Sequence, residues 1–165
     1  MKKFFILTLS LFFAFSCSTS IETKSIDLDN LKSEIINNSK EFQLAYINNE
    51  YSNAKNFLSD NITTSIFNSN GSSLVIQNEK QISNSGRGWS FSKFEMTNHQ
   101  VFISPDARSI TVVFDTDGKI EVGNSEEMVT YSTRASQFWV YTPNGWKIMH
   151  SHWSPKSEAQ GIPNE

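Results

Sequence analysis

The sequence predicts an α+β domain, with N-terminal helices packed in the concave face of a strongly curved antiparallel sheet. Three observations carry this reading. A helical repeat runs through the residues after Ile26, the pattern changes to period two from Trp89 onward, and an Asn-Gly turn joins the last two strands. Helices followed by an antiparallel run is the α+β order. A twisted sheet that curls around a helix leaves an open-ended concavity, which is a natural pocket.

Asp27 to Glu50 is the strongest helix. Leu28, Leu31, Ile35, Phe42 and Tyr46 fall near one face with Ala45 beside them, and Asp27 or Asp29 can cap its start. Tyr51 to Leu58 is a second, shorter helix. In the stretch from Ile62 to Arg87, Asn68 to Gly71 is a turn signal and Ser73 to Ile76 a strand. Phe94 to Ile103 and Ser109 to Asp115 are paired strands around a Ser104-Pro105-Asp106-Ala107 turn. Asp117-Gly118 and Gly123-Asn124 read as turns in a polar excursion. Glu127 to Tyr141 and Trp146 to Trp153 are the closing hairpin, with Pro155 to Glu165 a loosely ordered polar tail.

The N-terminus reads as an address. Lys2-Lys3 precede an apolar run from Phe4 to Phe15, too short for a bilayer span of about 20 residues. Ala14-Phe15-Ser16 leads to Cys17, the only cysteine in the chain, which cannot form an internal disulfide. The segment resembles a bacterial lipoprotein signal. That resemblance implies cleavage before Cys17, lipidation of Cys17 and a membrane-anchored protein of the cell envelope. Ordinary cleavage near Ser18 to Ser20, or an internal hydrophobic segment, are the alternatives. The expected organisation is a signal peptide (1–16), a lipidated cysteine with polar tether (17–26), the domain (27–154) and the tail (155–165).

Removing residues 1–16 leaves 149 residues, enough for one core. It also leaves 12 basic against 17 acidic residues, a formal charge of −5. An acidic domain without a Lys/Arg cluster argues against nucleic acid as a partner. A single cysteine excludes a disulfide scaffold and a thiolate zinc site.

The C-terminal hairpin is the most specific stretch. Arg134, Ser136, Gly145, Trp146, Ile148, His150, His152 and Ser154 stand where SnoaL-like domains, in the nuclear-transport-factor-2-like superfamily, carry an Arg-x-Thr strand, a Gly turn and a Trp-x-Ile-x-His-x-His-x-Ser strand. The order of elements is similar over Asp27 to Ser154. Gly145 to Ser154 also resembles the association domain of calcium/calmodulin-dependent kinase II. That domain's pocket carries an arginine after the second histidine, where this chain has Trp153. Gln137 stands where another pocket arginine would be expected. The catalytic residues of ketosteroid isomerase and of the SnoaL cyclases match no particular positions here. The resemblance implies the fold and a homodimer formed through the sheet's outer face, on which Trp153, Met149 and Tyr141 are expected.

Strict alternation puts Trp146, Ile148, His150, His152 and Ser154 on one face of the last strand. Trp146 and Ile148 are core types, so the histidines are expected to line the concave face. An imidazole can serve there as general base or anchor, making His152 and His150 the catalytic candidates. Alternatively, they hydrogen-bond the sheet and do no chemistry. A metal would need a third ligand such as His99 or Asp115; no metal and no cofactor is assigned. Trp89, Trp139 and Tyr46 are candidate ligand contacts, although such residues are more often core or subunit interface. Arg134 is a candidate anchor, or the partner of Glu127, Asp115 or Glu95. The leading function is binding of a small, mainly apolar molecule. The alternatives are an acid–base enzyme of isomerase, cyclase or hydrolase type and a non-catalytic homo-oligomerisation module.

Overall fold

The structure, a computed structural model, describes residues 27–59, 63–78, 82, 88–123, 128–157 and 159–163. The expected signal peptide, Cys17 and the tether to Ile26 lie outside the described residues. Among the described residues no helix is long and apolar enough to cross a membrane.

Helix α1 spans Leu28–Ile47. The Asp27 side chain caps it by accepting from the backbone N–H groups of Asp29 and Asn30, at 3.2 and 3.1 Å. It stops short of the expected Glu50 because Asn49 adopts φ 62°, a left-handed turn that asparagine tolerates. Ile35, Ser39, Phe42 and Ala45 form its buried stripe, while Leu28 at its start is half exposed. Ser39 belongs in that stripe because its hydroxyl donates to Gln137 Oε1 at 2.7 Å. Helix α2 (Tyr51–Ala54) runs into a 3-10 turn, Lys55–Phe57.

Six strands follow: β1 Thr64–Phe67, β2 Val75–Gln77, β3 Trp89–Ile103, β4 Ser109–Val122, β5 Met128–Thr142 and β6 Gly145–Pro155. They make one sheet in the order β2-β1-β6-β5-β4-β3. The four long strands are the expected antiparallel meander. β1 was not expected, and it lies parallel to β6, pairing Ser65 with His150 and Phe67 with His152. The sheet is therefore mixed at one edge.

Asp117-Gly118 is not a turn: β4 runs straight through it, with Gly118 opposite Phe94. A Cβ on Gly118 would lie 2.5 Å from the Lys93 carbonyl oxygen and 3.3 Å from the Phe91 ring. Glycine is there so that a bulged β3 can approach closely. The β5–β6 hairpin turns as expected. Gly145 sits at φ 84°, and the Thr142 hydroxyl accepts from Asn144 N and donates to the Gly145 carbonyl.

The inner face of the sheet wraps α1. Near the hairpin end the space is filled by Trp139, Ile110 and Ile148, all fully buried, with Phe57 edge-on to Trp139 at 5.9 Å. Toward the other end of β5 the inner residues become Gln137, Ala135, Thr133 and Tyr131, and there the packing opens.

Candidate functional site

β6 contains the decisive irregularity. Up to the pair Trp139–Ile148 each step along β5 matches one step along β6, but Phe138 then pairs with His150. Met149 is an extra residue, a β-bulge. One inserted residue sends every later side chain to the other face of a strand. Trp146 and Ile148 point inward as expected. Beyond the bulge Ser151 and Trp153 point inward, at 2% and 9% exposure. His150 and His152 point outward.

This corrects the expected site. On the outer face both imidazoles pack edge-on against Phe67, with ring centroids 5.8 and 5.9 Å away, and His150 Nδ1 shares a hydrogen bond with the Ser65 hydroxyl at 2.8 Å. From there neither imidazole reaches a molecule held in the concavity. Trp153, expected outside, belongs to the inner wall, where its ring meets Phe114 edge-on at 5.5 Å. Met149 is exposed as the outer-face expectation required. Tyr141 is exposed too, but it pairs with the inward Trp146 and shares the parity of Trp139, so it stands on the inner side of the sheet at the hairpin end, not on the outer face. Among the described residues no group of three His, Cys, Asp or Glu side chains gathers that could hold a metal ion.

The concavity holds a cavity of about 590 Å³. α1 contributes Phe42, Gln43 and Tyr46; β1 and β2 contribute Ile66, Val75 and Gln77. Trp89 and Phe91 of β3, Tyr131 of β5, and Ser151 and Trp153 of β6 close the other side. Two expected contacts, Trp89 and Tyr46, are therefore in the wall. Trp139 is not: it is fully buried in the packed end beneath Phe57. Arg134 is not either. It alternates with the inward Ala135 and is exposed on the outer face opposite Asp115. There it borders a second, open hollow of about 430 Å³ with Asn98 and Gln100. The same alternation that buries Ala135 forces Arg134 out.

Aromatic rings shape the cavity wall. Phe42 stacks on Tyr46 at 6.1 Å, and Phe91 stands edge-on to both Trp89 (5.6 Å) and Tyr131 (5.0 Å). Burial pushes the Tyr131 phenol above its usual range, so it stays neutral. Its oxygen accepts from the Thr133 hydroxyl at 3.1 Å, within a buried network that includes Thr116. Gln43 and Gln77 are 8% and 7% exposed, and the Gln77 amide nitrogen has no hydrogen-bond partner. None of the described residues lining the cavity is charged, and none is a histidine.

The tail also takes part. Ile162 and Pro163 border the cavity. Ile162 N donates to the Ser69 hydroxyl at 3.0 Å, and Asn70 donates to the Pro163 carbonyl at 3.4 Å. Within the stretch expected to be loose, Ile162 and Pro163 are tied at the cavity's border.

Sequence reasoning missed Gln77, Ser151 and Trp153. A signal for the last two was present. The large apolar residues of β6 are even-numbered at Trp146 and Ile148 but odd-numbered at Trp153, and such a change of parity within one strand marks a bulge.

A scan against protein-family models finds no match, and neither does a search of curated proteins. Solved structures do match. An NTF2-like superfamily protein from Salmonella enterica serovar Typhimurium aligns with TM-score 0.63 and 18% identity, covering 79% of this chain and 94% of that one. An NTF2-like protein from Cytophaga hutchinsonii aligns with TM-score 0.58 and 17% identity, over 76% of this chain and 98% of that one. The association domain of C. elegans CaMKII aligns with TM-score 0.58 and 16% identity, over 76% and 96%. At such identities the likeness speaks for the backbone alone, and it agrees with the helix-filled, curved sheet: the chain has the nuclear-transport-factor-2-like fold.

Proposed function

We propose that the chain is an envelope lipoprotein, anchored through Cys17, whose SnoaL-like domain binds a small, mainly apolar molecule in the cavity. The observation that carries the binding reading is the cavity itself, of about 590 Å³ with an aromatic wall. Apolar cavities of a few hundred Å³ with a few polar groups are the usual form of small-molecule sites. Native mass spectrometry of the protein purified from its own host tests it. A copurifying molecule, lost in Trp89→Ala, supports the reading; an empty cavity in every preparation opposes it. Acyl mass on the peptide beginning at Cys17, absent in Cys17→Ala, tests the anchor.

A second reading, homodimerisation through the convex face, is favoured by a specific row of residues. Register places Ile76, Ser65, His150, Phe138, Thr111 and Phe102 side by side across all six strands on the outer face. Ile76 and Phe102 are 55% and 57% exposed, and Phe67 and Met149 beside them are exposed too. From strand spacing and rise, this face spans on the order of 700 Å², close to the roughly 800 Å² per partner of a stable interface. Two CaMKII association-domain structures, the second from Exiguobacterium sibiricum, are among the similar structures. Sedimentation of wild type against Phe102→Glu tests it: a dimer that the glutamate splits is the expected result.

A further inference from the structure

We propose that the cavity selects an uncharged molecule that presents a hydrogen-bond acceptor, such as a ketone or ester carbonyl, to the side-chain amide of Gln77. The inference rests on the binding reading above and names the chemical class that reading leaves open.

Two independent observations carry it. The first is Gln77. It sits at the end of β2, on the inner face with Val75, and forms part of the cavity wall. The residue is 7% exposed, and its Nε2 is itself fully buried and has no partner, so an acceptor in the cavity meets it when the side-chain amide turns. A glutamine amide carries two N–H donors. A buried donor left unmade costs free energy that folding does not recover. A ligand acceptor would remove that cost, so the site gains more from a carbonyl than from a hydrocarbon of the same shape. Gln77 is also held in place: β2 pairs it with Thr64, whose hydroxyl is itself committed to the Ile148 carbonyl at 2.6 Å.

The second observation is the charge of the wall. Among the described residues lining the cavity none is charged. Burial keeps Tyr131 neutral, so it supplies no anion. A carboxylate brought among these rings would lose its hydration and meet no cation among the described residues, which is a strongly unfavourable transfer. A fatty acid is thereby disfavoured relative to a neutral ketone of equal length. An ammonium would be disfavoured for the same reason.

The test uses the full chain in detergent, with thermal unfolding followed by tryptophan fluorescence. A ligand that binds the native state raises the transition according to its affinity. Three probes of one chain length are compared: 2-undecanone, n-undecane and undecanoate. Wild type and Gln77→Leu are measured in the same micelles, so partitioning cancels between them. In wild type, 2-undecanone is expected to act at concentrations about five- to tenfold below n-undecane, the range of one net hydrogen bond, with undecanoate the weakest. Gln77→Leu is expected to abolish the ketone's advantage while keeping the response to n-undecane. Gln77→Met, unbranched and closer in shape, serves if the leucine variant fails to fold. Undecanoate outperforming the ketone, or a ketone advantage that survives loss of the amide, would overturn the proposal and leave the apolar binding reading standing. No response of wild type to any of the three would overturn both.

Discussion

The buried pair Ser39–Gln137 offers a quantitative test of how the helix is seated in the sheet. Both residues are fully buried, and the Ser39 hydroxyl donates to Gln137 Oε1 at 2.7 Å. Gln137 Nε2 has no partner, so the amide is half satisfied. Ser39→Ala removes a hydrogen bond and leaves the glutamine oxygen bare as well, so it should cost about 1–3 kcal/mol. Gln137→Met behaves differently. The serine hydroxyl can turn back to a carbonyl of its own helix, and an unpaired donor disappears from the core. Its cost should stay below about 1 kcal/mol. The double variant should be close to wild type in stability, well above the sum of the two single losses, with a coupling of about 1 kcal/mol or more. Urea unfolding of the four proteins, with midpoints and slopes fitted together, measures the cycle. If Gln137→Met costs as much as Ser39→Ala, or if the double variant is the least stable of the four, the half-satisfied amide is not what sets the energetics of this contact.

Three further outcomes follow from the geometry. His150→Ala and His152→Ala should leave the affinity of any cavity ligand within about twofold, since the Met149 bulge turns both rings outward; direct titration of each variant checks this, and a tenfold loss would place them back in the cavity. Gly118→Ala should destabilise by about 2 kcal/mol or more, because its Cβ would lie 2.5 Å from the Lys93 carbonyl oxygen; an unchanged melting temperature would mean that β3 moves aside freely. Burial, helped by the nearby Lys40 ammonium, lowers the pKa of His99 from 6.5. The unfolded chain then binds more protons than the folded one just below that value. Stability from this group is full above about pH 6.5 and falls as the solution is acidified. His99→Phe, which can keep the stacking on Phe114 at 5.4 Å, should flatten the melting temperature between pH 7.5 and about pH 5.5, and an unaltered pH slope would count against this origin.

Periodicity carried the large elements. α1 was readable because Leu28, Leu31, Ile35, Phe42 and Tyr46 recur near helical spacing over about five turns. β3 and β5 were readable because alternation runs over many residues, and β6 because the Asn144-Gly145 turn marks its start. β1, at four residues, is too short for a pattern to rise above noise, and its parallel partner lies more than eighty residues away in sequence. The Asp117-Gly118 turn signal failed for a related reason. A glycine required by the approach of Phe91 and Lys93 looks, in one dimension, the same as a glycine required by a turn.

The candidate site divides along the same line. Tyr46 and Trp89 reached the cavity because each stands on an element whose face the local pattern defines. Trp139 was chosen for its ring, yet whether a ring lines a cavity or plugs the core depended on Phe57 arriving from another element. Arg134 was assigned by residue type, and the alternation that buries Ala135 turned it outward. The sequence by itself determined the helix, the long strands, the hairpin turn and the acidic charge, because these depend on residues close together in the chain. Only the tertiary structure decided which side chains face the cavity. That choice turns on the single residue by which β6 outruns β5 at Met149, and a mismatch of length between two strands exists only once they are paired.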